Sequence, residues 1–222
     1  MVIGADGRSS IVRQRAGLKV ESLGAPIDVL WFRLARRPED GGQTLGRILP
    51  GKIMVMLNCE DYWQCAFVIP KGQFELIKQK GLEAFQEEVA TVAPSVRSRV
   101  NELREWNDVK LLTVLVDRAK DWYRPGVLCV GDAAHLMSPI GGIGINLAIQ
   151  DAIAAANILA APLSQGSVST EDLRKVQERR SLPTRLTQRL QEFMQDCVIR
   201  RVRQPTALPT LACEVSAEVS VP

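Results

Sequence analysis

Between Gly131 and Asn146 the chain reads Gly-Asp-Ala-Ala-His, then Pro139, then glycines at 141, 142 and 144 and an asparagine at 146. Asp132 stands where the apolar run 127–130 gives way to a turn. A carboxylate there can accept hydrogen bonds from a ribose or polyol hydroxyl. Closely spaced glycines let backbone approach a flat or anionic group with no Cβ in the way. The unpaired amides and positive dipole end of a following helix favour negative charge at the same place. Physics alone leaves two readings open, a cradle for a planar, anionic ligand or a glycine turn that packs a helix on a strand. Two others are excluded by spacing. A dinucleotide fingerprint would need glycine where Leu147 stands, and no Gly-Lys-Ser/Thr of a P-loop occurs.

His135, the single histidine, lies near Ser138. A Ser–His pair needs a third orienting group and an oxyanion site, and no G-x-S-x-G elbow exists. The expectation is a local hydrogen bond that shapes the glycine loop, with Asp151 anchoring the helix. No residue stands out as a catalytic base. Five cysteines without a C-x-x-C pair, beside one histidine, argue for free thiols in a cytoplasmic protein and against a metal site.

Elements must position these residues. At the start, Val2-Ile3-Gly4 reads as a strand end running into Asp6-Gly7, and Ser9 or Ser10 caps a helix to about Ala16 that Gly17 ends. Residues 28–34, 52–59 and 62–69 have strand composition, the last two joined by Glu60-Asp61 as a hairpin. Short links favour antiparallel pairing. Apolar residues from Phe74 to Val92 recur at helical intervals until Pro94, and 109–116 reads as another strand. Trp31, Phe32, Met54, Met56, Trp63 and Phe67 fill a core for the most part, with a substrate-facing role as the alternative. The run 127–130 reads as a doubly buried strand. The helix from the glycine loop to about Leu159 is apolar on nearly every face, predicting burial, with Pro162 beyond its end. Leu186, Leu190, Phe193 and Cys197 predict an apolar stripe opposite a solvated basic face carrying Arg179, Arg180 and Arg200, Arg201 and Arg203.

Composition bounds the class. The 222 residues hold 28 Lys+Arg against 25 Asp+Glu, with 46% hydrophobic and 24% charged residues. That is globular, and a net charge of +3 gives no footing for nucleic-acid binding. No apolar run is expected to reach the ~20 residues of a membrane span, and the first ten residues carry no signal-peptide pattern.

The run GVLCVGDAAHLMSPIGGIGINLAIQDA resembles the GD motif of flavin-dependent monooxygenases with the para-hydroxybenzoate hydroxylase fold, and VIGADGRSSIVR resembles their DG motif. The likeness covers about residues 1–190. It implies an α/β (α+β) fold, a partial Rossmann-like FAD-binding domain with an antiparallel-sheet substrate domain. It implies FAD held by Asp6, Gly7, Arg13, Gly131, Asp132, Pro139, Gly142, Gly144, Ile145 and Asn146. Asp132 would hold the ribityl chain, residues 139–146 would flank the isoalloxazine ring, and Asp6, Gly7 and Arg13 would line the pyrophosphate side and the nicotinamide passage. The implied reaction inserts one oxygen atom from O2 into an aromatic or other electron-rich small molecule through a flavin C4a-hydroperoxide, with NAD(P)H as reductant. A reductase or halogenase of the same fold is the alternative, and a non-catalytic remnant is another.

The family's opening strand, G-x-G-x-x-G loop and helix have no counterpart here, so the expectation is an N-terminally truncated piece. The expected divisions are 1–24 (DG motif), 25–120 (substrate domain), 121–165 (GD motif and helix), 166–204 (C-terminal helices) and 205–222 (a poorly ordered tail).

Overall fold

A computed structural model describes the backbone of residues 1–203 and the side chains of residues 1–196. The expected tail 205–222, and the side chains of Cys197, Arg200, Arg201, Arg203 and Cys213, lie outside the described residues.

The chain opens with β1 (Val2–Gly4), α1 (Ile11–Arg15) and β2 (Val20–Ser22). Four longer strands follow: β3 (Ile27–Ala35), β4 (Leu45–Leu49), β5 (Lys52–Cys59) and β6 (Tyr62–Pro70). Then come α2 (Phe74–Gln79), α3 (Leu82–Val92) and the short strands β7 (Lys110–Leu112), β8 (Asp117–Ala119), β9 (Tyr123–Arg124), β10 (Val127–Cys129) and β11 (His135–Leu136). Two long helices end the described chain, α4 (Gly144–Ser164) and α5 (Thr170–Arg203).

Contacts divide the described chain into two units, one of Met1–Ala25 with Val114–Gln195, the other containing Pro26–Thr113. In the second unit the strands form an antiparallel sheet in the order β4-β5-β6-β3-β7. Alternation sends Leu30, Phe32 and Leu34 to one face, where Met54, Met56, Trp63 and Phe67 join them against α3. Phe85 of α3 packs edge-on to both Phe32 and Phe67 at 5.6 Å. Core packing thus absorbs Phe32, Met54, Met56, Trp63 and Phe67, while Trp31 points to the other face. The hairpin turns at Glu60-Asp61 as its length requires, with Glu60 at φ 64°.

Two expectations here are corrected. The run 74–92 is two helices, because Gly81 adopts φ 94° and starts α3 afresh. The strand expected over 109–116 shrinks to β7, since Lys110–Leu112 is the stretch that finds a neighbour in β3.

The other unit holds two small sheets, β1-β10-β9 and β11-β8-β2. β1 runs parallel to β10, so the ends of both strands, with the turns after them, lie side by side. The core gathers Trp122, Leu128, Cys129, Ala155, Leu159, Leu173 and Val176.

Both long helices depart from their sequence reading. α4 continues past Pro162, whose missing N–H falls in the last turn and sacrifices one bond near a fraying end. It buries Leu147, Asp151, Ala154, Ala155 and Leu159 but leaves Ile145 69%, Ile149 52% and Ile153 54% exposed. Ile140–Ser164 is also long and apolar enough, by length and composition, to cross a membrane, contrary to expectation. α5 is inverted. Leu186 (55%), Leu190 (56%) and Phe193 (66%) face outward, while Arg180, Thr184, Gln188, Gln191 and Gln195 are buried.

One buried ion pair organises the sheet unit. Arg99, in the 3₁₀ segment Pro94–Glu102, pairs with Asp40, and also donates to Ala35 O at 2.8 Å and Ser95 O at 2.6 Å. Trp63 Nε1 donates to Asp40 Oδ2 at 3.1 Å. The side chains are only 3% and 7% exposed, and the Arg99 hydrogen bond holds the Asp40 carboxyl far below its usual range. Arg99→Met should therefore destabilise by about 3–5 kcal/mol in urea unfolding, because it leaves a buried carboxylate unpaired. A loss below about 1 kcal/mol would show that the pair carries no such load.

Candidate functional site

The candidate residues all fall in the unit of Met1–Ala25 and Val114–Gln195. In the first segment, Ser10 caps α1 by accepting from Arg13 N at 2.9 Å. Asp6 reinforces the cap, its Oδ2 accepting from Ile11 N at 2.8 Å and Val12 N at 3.2 Å. Hydrogen bonds from Ser10 and from these amides hold its carboxyl below the ordinary value, which fits a charged group at a helix N-terminus. Gly7 makes the turn between strand and cap.

Arg13 is turned inward. Its guanidinium donates to Ala133 O at 3.2 Å, Asp132 O at 3.4 Å and Arg8 O at 2.8 Å, and lies 3.7 Å from Asp117 Oδ1. The side chain stitches the turn after β1 to the turn after β10 through backbone carbonyls. Pairing of β1 with β10 brings both motifs to one corner, and this arginine ties them there.

Gly131 shows why the second turn is glycine. Its φ is 58°, and a Cβ there would come within 2.9 Å of Ala148 Cβ on α4. Its amide donates to Asp151 Oδ2 at 3.0 Å. Asp151 is wholly buried and also meets His135 Nε2 at 2.6 Å and Arg180 Nε at 2.7 Å. Burial pushes the Asp151 carboxyl up, but His135, Arg180 and the Gly131 amide together hold it below the usual range. His135 is thus engaged with a carboxylate from α4, and its ring packs at a tilt against Trp122, centroids 4.8 Å apart. Arg180, expected on a solvated face, is the buried counter-charge.

Asp132 is different. It is half-buried, burial pushes its carboxyl up, and no hydrogen bond from the described residues holds its carboxylate. Beyond it, Pro139 starts a 3₁₀ turn that Gly141 and Gly142 reverse at φ 79° and 63°. A Cβ at Gly142 would meet nothing within 4 Å. Then α4 begins with Gly144, Ile145 and Asn146, and neither a side-chain cap nor an acidic residue covers its first turn. Those amides lack partners one turn back. Ile145 and Asn146 are exposed. Arrangement and chemistry agree: a carboxylate that no described group hydrogen-bonds, suited to hydroxyl donors, stands near uncapped amides suited to a planar, electron-rich acceptor.

A cavity of about 240 Å³ lined by Glu21, Arg118, Lys120, Trp122 and Arg185, among others, includes none of these residues. Among the described residues no cluster could hold a metal ion.

Comparison with known proteins bears on this corner. Residues 1–190 match the family described as FAD binding domain. The chain is 33% identical over 218 residues to the 6-methylpretetramide 4-monooxygenase of Streptomyces rimosus, covering 97% of this chain and 52% of that protein. It is 27% identical over 183 residues to the 3-demethoxyubiquinol 3-hydroxylase of Escherichia coli K12, covering 81% and 46%. The chain spans about half the length of the curated relatives it matches. Its fold matches that of PqsL, a probable FAD-dependent monooxygenase from Pseudomonas aeruginosa, with TM-score 0.75, 21% identity, and coverage of 91% of this chain and 57% of that one.

Two outcomes follow from the geometry. Gly131→Ala should destabilise by about 1–3 kcal/mol from overpacking and a left-handed alanine, and Ala148→Gly in the same chain should recover the steric share. No recovery would mean that the contact with α4 is not the constraint. Because Asp151 is held below its ordinary value, its contribution is complete above about pH 4 and fades as pH falls through the folded value. The stability difference between wild type and Asp151→Asn should therefore shrink on acidification. A difference that stays constant from pH 6 to the acid limit would contradict this.

Proposed function

Since the chain belongs to the FAD binding domain family, we propose that it binds FAD at the corner of α1 and α4 and serves an NAD(P)H-dependent monooxygenase acting on an aromatic or other electron-rich small molecule. The observation that carries this is Asp132, left half-buried without a protein donor beside a helix whose first turn is uncapped. A half-buried carboxylate that no protein group hydrogen-bonds is suited to accepting from a ligand's hydroxyls.

The residues divide the task. Asp132 would accept hydroxyl hydrogens of the ribityl chain. Peptide amides across 144–146 would face the pyrimidine edge of the ring, where the positive end of α4 favours negative charge. Gly142 leaves room for the ring to lie on backbone. Asp6 and Gly7 form the neighbouring turn on the pyrophosphate side, and Arg13 holds that turn to the other through carbonyls rather than by touching ligand. When bound, FAD supplies hydride acceptance from NAD(P)H and the activation of O2. The protein's part is to orient substrate, hold charge at the ring edge and keep water out. Likeness to two hydroxylating relatives favours a monooxygenase over a reductase or halogenase of the same fold. Free thiols at Cys59, Cys65 and Cys129 accord with a cytoplasmic location, which is part of the same proposal.

The test is a flavin titration followed by quenching of FAD fluorescence. Asp132→Ala should weaken FAD binding about tenfold or more, since a charge-assisted hydrogen bond contributes about 1.5–3 kcal/mol. The flavin-free variant should melt no lower than wild type, because folding raises the Asp132 pKa and so disfavours its charged form. Unchanged affinity, or no binding by the wild-type chain, would overturn the reading.

A further inference from the structure

The inverted face of α5 asks what a helix gains by burying glutamines and exposing leucines. Gln191 Oε1 accepts from Ser138 N at 3.1 Å, while its Nε2 donates to Ser138 O at 2.9 Å and Ile140 O at 2.8 Å. Every hydrogen-bonding direction of this buried amide except one acceptor lone pair is spent on backbone. The Ser138 hydroxyl accepts from Ile140 N at 3.3 Å, and Pro139 has no N–H. The polar backbone of residues 138–140 thus depends on one side chain for three of its bonds, in the place where a neighbouring strand would otherwise supply them.

Gln188, one turn earlier, makes a similar set elsewhere. It donates to Asp117 O at 2.9 Å and Leu136 O at 3.3 Å and accepts from Arg118 Nη1 at 3.0 Å. Gln188 therefore ties β8 and β11, whereas Gln191 ties the segment that leads into the glycine turn. After Ile140 come Gly141 and Gly142, the least restrained residues in the loop. The direction in which the amides of 142–146 point is then set by where Ile140 is pinned and where α4 begins.

We propose that Gln191 is a positioning residue for the flavin-facing loop, holding Ser138 and Ile140 so that the uncapped amides at the start of α4 are presented in one orientation. Its relevance to flavin rests on the function proposed above; its hold on the loop does not. Glutamate at 191 would present acceptors to two carbonyls, leucine would satisfy nothing, and asparagine would fall one methylene short.

Amide hydrogen exchange of the flavin-free chain tests the hold directly. Gln191→Leu should speed exchange of the hydrogen-bonded amides of Ser138, Ile140 and Gly142 by about tenfold or more. Gln188→Leu, which breaks a comparable set on the same helix, should act at 117–119 and 136 and leave the amides of 138, 140 and 142 near wild type. The isosteric Gln191→Glu removes both donors at constant volume and should loosen the same segment, which keeps the comparison available should the leucine variant not fold. Wild-type protection of the amides of 138, 140 and 142 in either Gln191 variant, or equal loosening by Gln188→Leu, overturns the inference. FAD titration of the same proteins separates the two readings. If Gln191 positions the amides, Gln191→Leu weakens FAD binding about tenfold relative to Gln188→Leu, and equal affinities would refute the link to flavin. A wild-type chain that binds no FAD refutes the flavin reading, while the exchange pattern still decides the role of Gln191.

Discussion

A carboxylate with no access to water, Asp151, ties together the parts of this site. It takes hydrogen bonds from the amide of Gly131, the ring of His135 and the guanidinium of Arg180, so the turn after β10, strand β11 and helix α5 all converge on α4. A buried charge is costly to leave unpaired. Each donor must therefore be present, and that requirement fixes the turn at the one separation from α4 that Gly131 permits. Arg13 holds the same turn from the other side through the carbonyls of 132 and 133. Both ties act on backbone, which leaves the side chain of Asp132 uncommitted.

The two aspartates show how folding commits one acid and leaves another without a donor. At Asp151 the donors outweigh burial; at Asp132 burial prevails, since no hydrogen bond comes from the described residues. The first carboxylate is consumed by the fold. The second is left in a state that a ligand donating hydroxyl hydrogens would relieve.

The site was legible where backbone geometry dictates residue type. Glycine at 131 and in the 141–142 turn, the Ser10 cap and the Glu60-Asp61 hairpin each leave a mark in the sequence because few residues can replace them. Arg13 was legible as a member of the corner, but its inward guanidinium was not, since nothing in the sequence says which carbonyls will need a donor. Hydropathy misled at the long helices. It assigned Leu186, Leu190 and Phe193 to the interior, yet the carbonyls of residues 117, 136, 138 and 140 require donors that leucine cannot supply. The spacing of Arg180, Thr184, Gln188, Gln191 and Gln195 on one helical face was the available signal. Gly81, which splits the helix expected over 74–92, was likewise in view and outweighed by the apolar period.

Whether the uncapped start of α4 and the turn bearing Asp132 form one flavin site is decided by amide ¹H–¹⁵N spectra of the chain recorded during FAD addition. Saturable shifts are expected at Gly7, Asp132 and residues 141–146, with the sheet of Pro26–Thr113 little changed. Saturable binding with those amides unmoved and the shifts elsewhere would contradict a single site there.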